Sequence, residues 1–322
     1  MKGGRYFILS LNPGYDQWHI VRSRPAVQNV FRADEVLHII SGKGLNVARA
    51  LKNLACKEYV CMNILGGKTG EIIRDLGRKE HLNCLEYRIA GESRINTCVM
   101  LEYDKKTLSY NDPGPVLSRE EVSGLKILLK GIMDSEEKQS FVISGAPCRG
   151  ISEQDFREIL EYGVYKGHRF VADVSGNWLK AAGDYPLSLM KVNREEFQEA
   201  FQLDAFLFTK ELKRFKFERG IEELIVTDGE NGSIACGKNG ECLFGKAEKV
   251  QGGNYSVGSG DSFLAGYLAK YAQDASLEEC LKYAGACGLA NTYKFGPAMI
   301  TKEEVNRLEK YITIGKKGES VV

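Results

Sequence analysis

The chain has 322 residues, enough for one large α/β domain or two smaller ones with a sizeable core. Its 44 basic and 43 acidic residues nearly cancel, so no net field favours nucleic acid or a membrane surface. No apolar run approaches the ~20 residues of a membrane span, and residues 1–11 are too few for a secretory leader.

Residues 6–11 read as a short apolar strand ending at the turn Asn12-Pro13-Gly14. From 16 to 40 the pattern alternates weakly and is β-branched (Ile20, Val21, Val36, Ile39, Ile40), which predicts strands less buried than a central sheet. Ser41-Gly42-Lys43-Gly44 then opens a helix over 45–54, with Leu45, Ala48, Leu51 and Leu54 on one face. A strand over 59–65 and a helix over 70–80 follow, then an extended 94–102 expected to pair with the 16–40 region. Ser118-x-x-Glu121 is a capping box that starts a helix running to about 134. Strands over 141–144, 170–173 and 189–193 are separated first by a helix over 152–165. Helices over 194–201 and 208–219 precede a strand over 223–227 and a hairpin around Lys238-Asn239-Gly240. The last third is helical, with capping boxes at Ser276-x-x-Glu279 and Thr301-x-x-Glu304, and 315–322 reads as a frayed tail.

Repeated strand–helix alternation implies a mostly parallel sheet with helices on both faces. The β-only stretches at 16–40 and 86–112 fit that layer poorly and are expected to form a small sheet beside it. Ligands of such sheets sit outside the carboxyl ends of the strands. The loops 12–16, 144–150, 191–196 and 227–232 each follow a strand and can share that rim with Gly258-Ser259-Gly260-Asp261.

The segment 256–268, S-V-G-S-G-D-S-F-L-A-G-Y-L, places a glycine turn before a helix start. Unpaired amides and the helix dipole make such a turn an anion pocket suited to phosphate. A carboxylate at its mouth would repel the anion unless it faces a hydroxyl attacking the phosphate and takes the proton. Taken alone, G-x-G-D also reads as an Asp capping a helix behind a glycine turn; the other loops on the rim favour the base. Familiar nucleotide signatures are absent. Met62 stands where a Walker loop ending in Gly67-Lys68-Thr69 needs its first glycine, and no G-x-G-x-x-G follows a strand. Nine cysteines without a C-x-x-C read as reduced core residues of a cytoplasmic protein, and four unpaired histidines argue against a His-built metal site.

Asn12-Pro13-Gly14-Tyr15-Asp16, Ser41-Gly42-Lys43-Gly44-Leu45-Asn46-Val47-Ala48-Arg49-Ala50 and Val257-Gly258-Ser259-Gly260-Asp261-Ser262 resemble the ribokinase (PfkB) family of sugar kinases. The likeness is strongest to its 1-phosphofructokinase and tagatose-6-phosphate kinase branch and runs from about residue 6 to 311. The resemblance implies a ribokinase-like three-layer α/β/α sandwich with a mostly parallel central sheet and a small β-sheet lid. It implies one kinase domain over 1–314, with lid strands at about 14–40 and 86–112. The activity implied is ATP-dependent phosphorylation of a hydroxyl on a ketohexose phosphate: fructose 1-phosphate, tagatose 6-phosphate or fructose 6-phosphate. Asp261 would be the base, the amides of Gly258, Ser259, Gly260 and Asp261 the anion hole, and Mg²⁺ the cofactor. A homodimer paired through the lid is expected, with no nucleic acid or membrane partner.

Carried over by position, the resemblance assigns Asp16, Gly42, Asn46 and Asn96 to the sugar. Lys43 goes to the substrate or transferring phosphate, and Arg32 and Arg94 to the phosphate already on the sugar. Lys191, Thr227, Gly229 and Gly232 fall on the nucleotide side, with Asn291 a contact near adenine. Asn193 and Glu196, from Lys191-Val192-Asn193-Arg194-Glu195-Glu196, would position hydrated Mg²⁺. Three departures stand out. Ser41 replaces a glycine, Ala146-Pro147-Cys148-Arg149 replaces a serine-bearing loop, and Asp228 stands where the family usually has Leu. A kinase of unphosphorylated sugars or nucleosides remains an alternative. So does a non-catalytic sensor, which Asp261 between intact glycine motifs disfavours.

Overall fold

The computed structural model describes residues 6–27, 29–248, 252–253 and 255–316; residues 1–5 of the expected domain and the tail beyond 316 lie outside them. Strand β1 (Tyr6–Ser10) leads into β2 (Gly14–Val21) and β3 (Glu35–Ser41), then helix α1 (Lys43–Asn53). Next come β4 (Tyr59–Gly66), α2 (Gly67–Lys79), β5 (Cys84–Ile89), β6 (Arg94–Leu101) and β7 (Lys106–Asn111). The central run is α3 (Arg119–Met133), β8 (Ser140–Ser144), α4 (Glu153–Tyr165), β9 (Arg169–Asp173), α5 (Gly176–Ala182) and β10 (Leu189–Asn193). It continues through α6 (Arg194–Phe201), α7 (Thr209–Glu218), β11 (Leu224–Thr227), β12 (Ser233–Cys236) and β13 (Cys242–Ala247). Helices α8 (Ser259–Tyr271), α9 (Leu277–Asn291) and α10 (Lys302–Leu308) and strand β14 (Ile312–Lys316) close the chain.

Among the described residues the main sheet has ten strands in the order β14-β13-β12-β11-β10-β9-β8-β1-β4-β5. From β5 to β11 neighbours run parallel, and β12 to β14 add antiparallel pairs. Alternation along β1 sorts the core. Tyr6 and Ile8 enter a cluster with α1, α2, α8, α9 and α10, whereas Phe7 and Leu9 enter one with α3 to α7. That alternation is how one apolar strand serves two helical layers. The strand order reverses at β1, which has β4 on one side and β8 on the other, so a crevice opens at the carboxyl ends of β1 and β8.

Strands β3-β2-β6-β7 make the separate small sheet. Its inner face, Trp18, Ile39, Cys98 and Met100, packs against Tyr255, Phe295 and Met299. The expected pairing of 94–102 with the first hairpin is present, as a parallel β2–β6 ladder.

Several expectations need correction. Residues 86–89 belong to β5 on the edge of the main sheet, so the second hairpin of the small sheet starts at Arg94. Residues 315 and 316, expected in the tail, complete β14, which pairs Gly315 with Phe244. Helix α5, seven residues long, has too short a pattern to be read from sequence. Cys236 and Cys242, expected to be reduced, are register partners across the β12–β13 hairpin and form a disulfide.

Candidate active site

The α8 turn meets the carboxyl ends of β9 and β10. Gly258 precedes the helix with φ 85°, and a Cβ there would lie 2.6 Å from Pro297 Cα, so glycine is required on both counts. A Cβ on Gly260 would lie 2.9 Å from Lys191 Nζ, which seats that ammonium against the helix start. Among the described residues no side chain caps this helix end, and a helix N-terminus beside a lysine suits an anion. The Ser259 N–H, expected among the anion donors, instead closes the turn onto Ser256 O at 3.0 Å.

Asp261 lies in the first turn of α8 with its carboxylate directed inward and buried. Asn46 Nδ2 donates to its Oδ2 at 2.7 Å. Burial raises its pKa to about 6; Lys43 pulls it down, Asp173 pushes it up, and Lys191 and the Asn46 hydrogen bond lower it. Two lysines share one counter-ion here. Lys43 Nζ lies 3.3 Å from Asp173 Oδ1 and Lys191 Nζ 3.2 Å from Asp173 Oδ2. Burial alone would raise the Asp173 pKa, but Lys191 and Lys43 hold it below the usual carboxylate range. Asp173 in turn raises the Lys43 pKa, against its desolvation. The Lys43 side chain is 38% exposed and Lys191 only 6%.

Asp173 was missed at the level of sequence. The available signal was an acid closing an apolar strand, V-A-D, at the carboxyl rim. Arg49 was missed too. It is 2% exposed, forks onto Glu80 at 2.6 and 2.9 Å, and donates to Ile40 O, Pro297 O and Asn46 Oδ1.

On the small sheet, β2 and β6 set Asp16 opposite Asn96 and Gly14 opposite Arg94. Buried Asp16 accepts from Ser41 Oγ and from Asn96 Nδ2, the latter at 2.7 Å. Burial raises its pKa, while Ser41, Asn96 and Arg94 oppose the rise. Ser41, the departure from glycine, therefore holds the Asp16 carboxylate, and Asn96 donates to the same oxygen. Arg94 Nε is buried with no hydrogen-bond partner among the described residues. Burial lowers the Arg94 pKa against the pull of nearby Asp16, Cys148 and Asp112. Gly42, at φ 115°, turns the chain from Ser41 into α1. Arg32 is exposed and lies beyond the Ile20–Glu35 pair, which is itself about 13 Å from Asp16 at ~3.3 Å per residue, so it sits at the far end of the hairpin. It does not join the cleft of its own chain. Arg149 Nη2 donates to Gly114 O at 2.7 Å on the crevice rim.

On the other flank, Asn193 caps α6: its Oδ1 accepts from the Glu196 N–H at 2.8 Å, and Glu196 Oε2 accepts from the Asn193 N–H at 3.5 Å. Asn193 is the register partner of Thr227, whose hydroxyl donates to Val192 O at 3.4 Å. Gly229 and Gly232 have φ of 52° and 105°, and Asp228 N donates to Gly232 O at 2.7 Å, closing a tight turn. Asn291, expected near adenine, is fully buried and holds the glycine turn. Its Nδ2 donates to Val257 O, and its Oδ1 accepts from Ala298 N, each at 2.8 Å. Its carboxamide is thus committed inside the protein.

The family profile described as pfkB family carbohydrate kinase matches residues 10–303. A 1-phosphofructokinase of Bacillus subtilis is 30% identical over 311 residues, 94% of this chain and 96% of that protein. A 1-phosphofructokinase of Borreliella burgdorferi is 27% identical over 293 residues, 89% and 92% of the two chains. Among solved structures, phosphofructokinase-2 from Escherichia coli in complex with substrates and products superposes with a TM-score of 0.87. It shares 23% identity, over 95% of this chain and 99% of that one. A carbohydrate kinase from Agrobacterium tumefaciens gives 0.73 at 16% identity, over 97% and 100%. At these identities the structural likeness speaks for the fold.

Proposed function

The chain belongs to the pfkB family of carbohydrate kinases, and on that premise we propose that it transfers the γ-phosphoryl of ATP to a hydroxyl of a ketohexose phosphate. The observation that carries this reading is the convergence on one cleft of a buried carboxylate with a raised pKa and two lysines balanced on Asp173. The phosphate on the acceptor is supported by Arg94, whose buried Nε has no partner of its own among the described residues. A guanidinium fork matches a phosphate dianion bidentately. The two curated relatives carrying the name 1-phosphofructokinase point to the same acceptor class.

Asp261 receives the proton of the acceptor hydroxyl as that oxygen bonds to the γ-phosphorus. The bond from phosphorus to the β–γ bridging oxygen breaks, and ADP leaves with the electron pair. With a pKa near 6, Asp261 is largely ionised at neutral pH and still a competent base. A positioned base supplies about 10²–10⁴-fold, so the lysines and the helix start must supply much of the rest. Asp16, held by Ser41 and Asn96, accepts from sugar hydroxyls.

Among the described residues no cluster of three or more His, Cys, Asp or Glu could hold a bare metal. Asn193 and Glu196 would hold a hydrated Mg²⁺ through its waters. When bound, such an ion neutralises charge on the nucleotide phosphates.

The test is ADP release with fructose 1-phosphate, fructose 6-phosphate, tagatose 6-phosphate, fructose, ribose and adenosine as acceptors. We expect a phosphorylated ketohexose to give the highest kcat/KM. Preference for fructose, ribose or adenosine would reassign the acceptor, and absence of turnover with all six would leave a non-catalytic sensor.

The outer part of the small sheet supports a homodimer. Val36, Ile95 and Tyr110 are exposed on its strands and Val27, Val30 and Phe31 on the connection between β2 and β3, and exposed apolar side chains at a thin sheet favour a paired surface. Solution scattering at micromolar protein should give twice the chain mass; a monomer would overturn the pairing.

A further inference from the structure

Arg194 follows Asn193 directly and occupies the first position of α6. Its Nη2 and Nε fork onto Asp204 at 2.6 and 3.1 Å, and its guanidinium lies over the Phe206 ring, 4.9 Å from the centroid. Its Nη1 reaches across to the neighbouring strand end and donates to Asp228 Oδ2 at 2.9 Å. Asn231 Nδ2 approaches the same oxygen at 3.3 Å. Asp228 is the residue that interrupts an otherwise family-like glycine turn, and an unopposed carboxylate there would face the polyphosphate the turn receives. We infer that Arg194 is a positioning residue for the nucleotide: it neutralises Asp228, turns that carboxylate away from the phosphates and ties the turn to the start of α6.

This inference rests on the nucleotide assignment proposed above. The ion pair joins the turn at 227–232 to the Asn193–Glu196 cap, the two elements between which a nucleotide's phosphates would lie. Arg194 is anchored independently, because Asp204 and Phe206 fix its plane whether or not Asp228 is present. The Asp228 carboxylate is therefore the dependent partner, and the sign of each substitution can be worked out. Removing the cation unmasks a negative charge; removing the carboxylate removes what needed masking.

The experiment is calorimetric titration of the full chain with a non-hydrolysable ATP analogue and Mg²⁺, beside steady-state kinetics. Arg194→Met should weaken analogue binding and raise KM for ATP about tenfold, with kcat reduced less than about threefold. Adding Asp228→Asn to it should recover most of that loss. Raising the salt to about 0.5 M should shrink the Arg194→Met defect, because an exposed charge is screened. Should Arg194→Met not fold, Asp228→Asn alone decides: it should tighten analogue binding about twofold, since Arg194 keeps its fork on Asp204. Equal affinities for wild type and Arg194→Met, a double variant no better than Arg194→Met, or weaker binding in Asp228→Asn alone would each overturn the inference. A wild type that binds no analogue would instead overturn the nucleotide assignment itself.

Discussion

Asn46 donates from Nδ2 to Asp261 Oδ2 at 2.7 Å, and its Oδ1 is meanwhile held by Arg49 at 3.3 Å. An amide gripped at both ends cannot flip without presenting an acceptor to the carboxylate. Helix α1, which carries Asn46, therefore also sets the orientation and basicity of the Asp261 carboxylate.

Asp261→Asn should keep acceptor binding, measured by titration calorimetry, and lose about 10²–10⁴-fold in kcat. Ordinary turnover in that variant would remove Asp261 from the role of base.

The pH dependence follows from the same residue. With its pKa raised to about 6, the acid limb of kcat/KM should break near pH 6, activity falling as pH falls. Stability moves the other way. The folded carboxyl holds its proton to about pH 6 while the unfolded one releases it near 3.8, so ionisation withdraws up to about 3 kcal/mol as pH rises through that window. Asp261→Asn should accordingly melt above wild type at pH 8, with the difference closing by about pH 4; a constant difference across that range would refute the linkage.

Asp173→Asn leaves Lys191, with a side chain 6% exposed, without its counter-ion and should destabilise by about 3 kcal/mol in chemical denaturation. The Asp173 charge also pushes the Asp261 pKa up, so its removal should carry the acid limb of kcat/KM to lower pH. A limb that stays in place, or moves up, would contradict the electrostatic coupling.

Arg49→Lys keeps the charge but loses the fork on Glu80 and the reach to Asn46, Ile40 and Pro297. We expect a loss of about 2–4 kcal/mol in stability and a larger change in kcat than in either KM. A variant that is destabilised yet turns over normally would make Arg49 a purely structural residue.

Arg94→Gln should raise KM for a phosphorylated acceptor about 10–100-fold, the scale of a lost charge-assisted pair, and leave any residual activity on the unphosphorylated sugar in place. Parallel losses on both acceptors would place the arginine elsewhere in the reaction.

Much of the fold was legible because its signals are local. Four expected capping-box or helix-start signals, at Ser118, Ser152, Ser276 and Thr301, do begin helices, and the apolar strands lie where their composition puts them. Strand β14 was not legible, because a polar terminal segment becomes a strand only through its pairing with β13, about seventy residues away. The same limit hid Arg49 and Asp173. An arginine inside N-V-A-R-A reads as a solvated helix residue until Glu80 and Pro297 arrive from elsewhere, and an aspartate closing a strand reads as a turn until two lysines converge on it. Departures from the family pattern were visible but uninterpretable, since their compensations, Ser41 with Asp16 and Asp228 with Arg194, are spatial.

Arg49 also constrains movement. Its guanidinium clasps the Ile40 carbonyl at the root of β3, the Pro297 carbonyl behind the glycine turn and the helix carrying Asn46. A swing of the small sheet that kept these bonds would have to hinge outside Ile40, leaving the Ile40, Pro297 and Asn46 contacts of Arg49 as its fixed root.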